Sequence, residues 1–470
     1  MVNYYGRQQI FADVDEITEE NVGRVMNLVY DIHVKNRGQI KYLYEYYKGK
    51  QPVYDRVKEI RPEICNKIVE NWANAIVSFK VGYLCGSPVQ YVSGKSDKDL
   101  TKQIDLLNDI MDSHGKASVD KDLIEWQMIC GTSFRSIFSD EDNLIQMDSL
   151  DPQNTFVIYS NDISKKPLAG CYETIKTEKG KPINYITIYT PKKIITLRGK
   201  KVFSVVKNSL NDIPIKEYPA NNARLSAIEI VIDLLNAIND IDSNRLDGVE
   251  QFIQSLMVIY NADVGDETIN TLREKGLITL KSTTDSRADV KILSEQLDQN
   301  QTQTLKEDLI NRVREIVGLP AQGDGNSSDS SNNGAMLLKG GWENAETRAR
   351  ESEVMFKRSE IPFLKLLFEI LSKKGKVKLN VEDVDIRFTR RNYENIQVKS
   401  QVLTTMLSSD KIHPRLAFEG CGMFIDPEEA YNMSVKYAKE REKENGRVEQ
   451  LNKSNNGNSN GDNGEDPEGT

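Results

Sequence analysis

Residues Gly94–Asp97 read GKSD, the ending of a loop that cradles phosphate. Such a loop needs a glycine five positions before its Gly-Lys pair, so that backbone N–H groups can wrap the anion, and Val89 stands there. A surface turn at a strand tip is the better reading. DIDSN at Asp240–Asn244 supplies the first three oxygen ligands of a calcium loop. Its sixth position is Arg245 where a sharp turn needs glycine, and its twelfth is Gln251 where the loop needs glutamate. It reads as a solvated helix face. The three histidines, His33, His114 and His413, lie far apart, and no Ser-His-Asp, Cys-His or H-E-x-x-H arrangement can be assembled. RFTRR at Arg387–Arg391 is the densest basic cluster on a strand pattern. A solvated edge or an ion pair between subunits accounts for it better than a nucleic-acid contact, because surface charge runs are common. The expectation is a protein that is not an enzyme, with no catalytic residue, no metal and no cofactor.

The elements that would have to position any chemistry are more informative. At 470 residues the chain can build several cores, and its net charge of -9 disfavours general adhesion to DNA or anionic lipid. Cys65, Cys85, Cys130, Cys171 and Cys421 are odd in number and contain no C-x-x-C pair, so neither a disulfide framework nor a thiolate zinc site is expected. The first residues lack the basic start and apolar core of a signal peptide, and IEIVIDLLNAI is too short and too charged to span a bilayer. Folding in a reducing cytoplasm follows as an expectation.

Along the chain, the spacing of Cys65, Ile68, Val69, Trp72, Ile76, Phe79 and Tyr83 predicts a helix from about Pro62 to Tyr83, stopped by Gly86, Ser87 and Pro88. Its Trp72 and Phe79 stripe reads as core packing and not as a platform for stacked bases. Helices follow at about Asp99–Ser113 and Ser118–Cys130. From Phe134 to about Asn208 the period drops to two, in short β-branched runs separated by EKGKP and RGKK, which predicts antiparallel hairpins. Near Arg224 a helix of some thirty residues begins, a rod of roughly 45 Å. A compact insert follows, with SLMVIYN, LITLK and ADVKILS as strands and ETINTLREKG as a helix. The two strands SLMVIYN and ADVKILS are expected to pair across subunits, because so small an insert cannot bury both faces alone. A second helix is predicted at about Gln303–Val317, and a third from Ala335 to about Lys373, kinked at Pro362. KVKLNVEDVDIRFTR alternates like a strand. Helices at about Ile396–Ser408 and Pro427–Glu444 precede a polar, low-complexity tail expected to be disordered.

Between the second and third of the long helices lies GDGNSSDSSNNG, residues 323–334, without one apolar side chain. This order of elements resembles the portal proteins of tailed double-stranded DNA bacteriophages. The likeness runs from about Tyr42 to Lys443. It is carried by YYKGKQPVYDR at Tyr46–Arg56, by RPEICNKIVENWANAIVSFKVGYLCGSPVQYV at Arg61–Val92, by LDPQNTFVIYSND at Leu150–Asp162 and by NNGAMLLKGGWENAETRARE after the polar loop.

The resemblance implies an α+β portal fold assembling as a cyclic ring. It makes residues 1–222 the wing, 223–256 and 301–318 the paired stem helices, and 257–300 the clip. Residues 319–334 become the tunnel loop, 335–392 the kinked helix and wing return, 393–445 the crown and 446–470 a disordered tail. The loop residues Gly323, Asp324, Gly325, Asn326, Ser327, Ser328, Ser330, Asn332 and Asn333 would line a water-filled DNA channel, which explains a segment with nothing to bury. A bare flexible linker is the competing account of the same composition. Arg273, Lys275 and Arg287 would meet the terminase and then the head–tail adaptors. The implied partners are further copies of the chain, usually a dodecamer, with genomic duplex DNA, the terminase large subunit, adaptor proteins, and major capsid and scaffolding proteins. No membrane is implied, and the location would be the portal vertex of a virion assembled in the host bacterial cytoplasm. A helical scaffold or adaptor without a channel, or a nucleic-acid-processing enzyme, would also suit long helices and abundant acids. The first requires sustained heptads, and the second requires a carboxylate cluster set apart; neither is visible.

Overall fold

The computed structural model describes residues 6–59, 62–94, 98–139, 145–253, 256–260, 289–293, 299–320, 342–390, 396–424 and 427–456. Two β layers carry the N-terminal half. Strand β1 (Ile10–Ala12) opens a six-stranded sheet with β5 (Thr155–Ser160), β6 (Pro167–Glu178), β7 (Lys181–Tyr189), β8 (Lys193–Arg198) and β9 (Lys201–Lys207), adjacent in that order. Strands β5 to β9 form the expected antiparallel hairpins; β1 adds itself parallel to β5, with Ile10 opposite Ile158. A second sheet has the order β10 (Ile215–Pro219), β3 (Thr132–Ser139), β4 (Ile145–Leu150). A third pairs β2 (Gln90–Ser93) with β13 (Val384–Arg387), so the chain returns to its N-terminal half at the far end of KVKLNVEDVDIRFTR.

Helix α1 (Val22–Tyr47) was not legible beforehand, although at 26 residues it is about 39 Å long. Its first half closes the core of the large sheet, where Val22, Val25, Met26 and Val29 meet Ile158, Ile186, Ile188 and Ile195. Its second half, with Ile40, Leu43 and Tyr46, belongs to the main core. That core gathers α2 (Trp72–Cys85), α3 (Lys98–Ser113), α4 (Lys116–Cys130), α5 (Ile232–Ile253), α6 (Gln299–Val317) and α7 (Trp342–Lys373). The C-terminal part is a small helical cluster of α8 (Ile396–Leu407), α9 (Pro414–Gly420) and α10 (Pro427–Asn456). Helix α10 runs past the expected end at Glu444, into the segment expected to be disordered.

Three expectations are corrected. The helix expected from Pro62 begins at Trp72, where the Asn71 side chain caps it by accepting from the Asn74 amide. The rod expected from Arg224 begins as a helix only at Ile232, after a 3-10 turn at Glu229–Val231, and its 22 residues span about 33 Å. Arg224 has φ 55°, outside any right-handed helix, and Ser226 and Glu229 form a reciprocal cap in which the Ser226 hydroxyl accepts from the Glu229 amide while the Glu229 carboxylate accepts from the Ser226 amide. Finally, SLMVIYN and ADVKILS pair within one chain: β11 (Leu256–Tyr260) lies antiparallel to β12 (Asp289–Leu293), with Leu256 opposite Leu293.

Candidate functional site

Helices α5 and α6 form an antiparallel hairpin. Asp242 is bonded to Lys306 at 2.9 Å, and Arg245 donates to Gln303 at 2.7 Å. The chain register set by those pairs continues into β11 and β12, so the two arms enter and leave the insert side by side, first as helices and then as strands.

The extended segment before α2 lies along α5. The amides of Asn66, Ile68 and Glu70 donate to Asp247, Ser243 and Asn239 at 2.7, 3.0 and 2.9 Å. Alternate residues of an extended chain are about 6.6 Å apart, and every fourth residue of a helix rises about 6.0 Å. The two periods nearly coincide, so polar side chains on one helix face replace a partner strand. This is why 65–71 stays out of a helix despite helical apolar spacing: the amides of Asn66, Ile68 and Glu70 are satisfied by α5 and not by a local turn. Asp247 also holds Arg56 and Lys58, at 2.9 and 2.5 Å. Burial would raise its carboxyl, but Lys58 and the Asn66 donors bring it below the usual range.

At its other end α6 stops at Gly318, whose φ of 74° permits the Leu319 amide to reach back to the Arg314 carbonyl at 2.8 Å. The Asn344 side chain of α7 donates to the Glu315 carbonyl of α6 at 2.9 Å. A β-carbon on Gly318 would lie 2.9 Å from the Arg348 side chain. Phe79 and Tyr83 of α2 stack 5.6 Å apart, and Trp342 closes on both. The C-terminus of α6 and the N-terminus of α7 are therefore held against one another and against α2. Lys80 sits beside this junction with its amine pushed down to about 8, by burial first and by Arg348 second.

Further along, α7 is locked by a buried ionic cluster. Glu360, two residues before Pro362, accepts from Arg135 at 2.8 and 2.9 Å, from the Tyr91 hydroxyl at 2.6 Å and from the Tyr218 hydroxyl at 2.7 Å. Arg135 also pairs with Asp120, which pairs with Lys116, whose amine donates to the Val89 carbonyl at 2.8 Å. The rings of Phe363 and Tyr218 flank the guanidinium, at 4.5 and 5.2 Å. Two cations face two anions, and none of the four side chains is more than 3% exposed. Burial would raise the Glu360 carboxyl, yet Arg135 and Lys116 hold it below the usual range; burial also lowers the Lys116 amine to about 8.

The expected loop residues Gly323 to Asn333 and the expected contacts Arg273, Lys275 and Arg287 lie outside the described residues. Of GKSD, Gly94 follows β2 and donates its amide to the Asp383 carbonyl at 3.0 Å; the other three residues are outside the description. DIDSN is not merely a solvated face, since Asp242 and Ser243 are spent on Lys306 and on the Ile68 amide. Among the described residues, no group of acids, histidines and cysteines could hold a metal. In RFTRR, Arg390 reaches Glu346 at 2.7 Å and also pairs with Glu353, so it ties the strand return to α7 within one chain. Leu246, Val249, Leu305 and Ile316 remain exposed on the helical hairpin.

A family model described as "Phage portal protein, SPP1 Gp6-like" matches residues 27–447. The chain belongs to the phage portal protein family. These are structural proteins, and the charge clusters of this portal chain accordingly serve to fasten elements together. A solved structure titled "Virion of native gene transfer agent (GTA) particle" is similar at 12% identity and a TM-score of 0.42, over 83% of this chain and 94% of that one. No curated protein matches the chain. No helix among the described residues is long and apolar enough to cross a membrane. Sequence reasoning missed the ionic cluster entirely. Its one local sign is the i,i+4 spacing of Lys116 and Asp120; Arg135 and Glu360 become their neighbours only through tertiary packing.

Proposed function

We propose that copies of this chain close into a ring of roughly a dozen subunits at one capsid vertex, through which genomic DNA is packaged and later ejected. Family membership supports the portal role. The observation that carries the rest is the helical hairpin, whose Leu246, Val249, Leu305 and Ile316 are left exposed by a single chain and would be covered by neighbours in a ring. In this reading residues 257–300 are the clip, docking the terminase large subunit and afterwards the head–tail adaptors through Arg273, Lys275 and Arg287. Residues 319–334 are the tunnel loop, and Gly323, Asp324, Gly325, Asn326, Ser327, Ser328, Ser330, Asn332 and Asn333 meet the moving duplex. Residues 1–222 and 335–392 form the wing, facing capsid and scaffolding proteins, and 393–445 form the crown.

Deleting part of Gly323–Asn333 tests the loop. Its composition offers almost no apolar area to bury, and the junction of Asn344 with the Glu315 carbonyl already holds its ends together. Rings should therefore form normally, as seen by negative-stain microscopy, while particles assembled with the shortened chain should contain less DNA. Normal rings with fully packaged genomes would reduce the loop to a linker. Absence of rings for the intact chain at high concentration would remove the whole reading.

A further inference from the structure

We infer that β9 is a docking edge for an acidic, extended polypeptide segment of another protein, which would add to the large sheet as a further strand. In the described sheet β9 is terminal: β8 pairs with one side of it and nothing pairs with the other. Every second backbone group of such an edge points outward with its hydrogen-bonding capacity unused. The side chains of this edge are unusually apolar for one left open, with Val202, Phe203 and Val206 exposed by 44%, 61% and 54%. Phe203 is positioned and not loose, since its ring packs edge-on against Tyr185 at 5.8 Å.

Charge decides the occupant. The chain is acidic as a whole, yet between Thr174 and Lys207 its only acid is Glu178. Lys192 and Lys193 are paired with Glu16 and Glu19, and Arg198 is paired with Glu178. Six lysines remain without a carboxylate partner among the described residues, at positions 176, 179, 181, 200, 201 and 207. Lys176 lies over the Tyr185 ring at 5.2 Å. The turns between β6 and β7 and between β8 and β9 lie toward the same end of the sheet, the first reaching four residues beyond the second, so Lys179, Lys181, Lys200 and Lys201 all lie toward that end, with Lys207 at the opposite end of β9. An added strand would thus find backbone partners on either side of the register shift at Phe203, apolar side chains at Val202, Phe203 and Val206, and cations toward both ends. Carboxylates alternating with apolar residues match that pattern.

A second copy of β9 does not match. Antiparallel self-pairing would bring Lys201 against Lys207 twice, and like charges directly opposite are destabilising. Duplex DNA would satisfy the lysines but neither the backbone edge nor the apolar side chains. The inference stands on this surface alone, so the channel assignment could fail and leave it intact.

The test uses the full-length assembled protein and a fluorescent peptide of about ten residues in which glutamate and valine alternate, the usual span of a longer strand. Binding is read by anisotropy, with hydrogen exchange at the β9 amides that face away from β8 as the backbone readout. The peptide should bind and slow exchange at those amides. Lys200→Glu with Lys201→Glu should weaken binding at least about tenfold, by reversing the charge that steers the peptide to this end. The same peptide methylated on alternate backbone nitrogens keeps its charge but cannot pair, and should not bind. If the methylated peptide or a short DNA duplex binds as tightly as the unmodified peptide, the surface is a general polyanion patch and the inference fails. It also fails if nothing binds, or if the β9 amides that face away from β8 are already slowed in the assembled protein without peptide, because another copy then covers the edge.

Discussion

Replacing Glu360 by glutamine alters one atom and removes one charge from a cluster that is neutral only when all four members are present. The amide offers one acceptor oxygen where the carboxylate offered two, so its nitrogen faces donors, Arg135 and a tyrosine hydroxyl, that previously met an oxygen. Arg135 and Lys116 are left sharing Asp120. Removing one partner of a buried pair costs about 3–5 kcal/mol, because the remaining charge is uncompensated. Lys116→Met makes the opposite imbalance, leaving Asp120 and Glu360 around Arg135. Combining the two restores neutrality, so the double variant should be more stable than the sum of the single losses predicts, by at least about 1 kcal/mol. Urea unfolding followed by tryptophan fluorescence measures this, since Trp126 lies on the same helix as Lys116 and Asp120. The slope with urea should be unchanged, so that midpoint shifts report stability. Additivity of the two substitutions to within about 0.5 kcal/mol would refute the argument that charge balance holds α7 in place.

Three further outcomes follow from the same geometry. Asp247→Ala removes the acceptor of the Asn66 amide and the partner of Arg56 and Lys58, and should cost about 2–3 kcal/mol in urea unfolding, whereas breaking the exposed pair Lys50–Glu45 should leave the urea midpoint nearly unmoved. Gly131→Ala should destabilise by more than about 2 kcal/mol, because φ is 82° there and a β-carbon would lie 2.0 Å from the Arg224 carbonyl; the same change at Gly199, φ 61° with nothing nearby, should cost only the backbone strain of about 1–2 kcal/mol. Burial would raise the Glu173 carboxyl, but bonds from His33 and Arg37 bring it down to about 2. The unfolded chain therefore binds more protons than the folded one between the ordinary carboxyl pKa and about 2, and stability falls as pH drops through that window. Glu173→Gln should flatten that part of an acid-unfolding curve, by on the order of 3 kcal/mol at most.

What could be read beforehand follows from where the determinants lie. The hairpins from β3 to β9 announce themselves, because alternation and turn residues are local. Helix α6 likewise ends where Gly318 says it should. Helix α1 escaped notice because its buried face includes His33 and Asn36, two polar residues that break the apolar stripe; His33 faces Glu173 at 3.6 Å, and Asn36 exchanges hydrogen bonds with the Gln8 backbone. The segment 62–71 misled for the opposite reason: its apolar spacing is helical, while the bonds that decide its shape come from α5, more than a hundred residues away. The late start of α5 was legible in principle, since Ser226 and Glu229 stand three apart as a capping pair. The ionic cluster was not, since α4, β3, β10 and α7 each bring polar or charged residues that would pass for surface ones when taken singly.

The three bonds from the segment before α2 to Asp247, Ser243 and Asn239 also give α5 a direction of strength. A force pulling α5 along its own axis stretches all three at once, so they share the load and must rupture together. A force lifting the segment away from α5 meets them one at a time, beginning at whichever end is raised, and each rupture leaves the next exposed. Axial load on α5 is thus resisted as a shear joint, while sideways displacement peels it open, and the same three contacts are rigid or yielding according to the direction of the load.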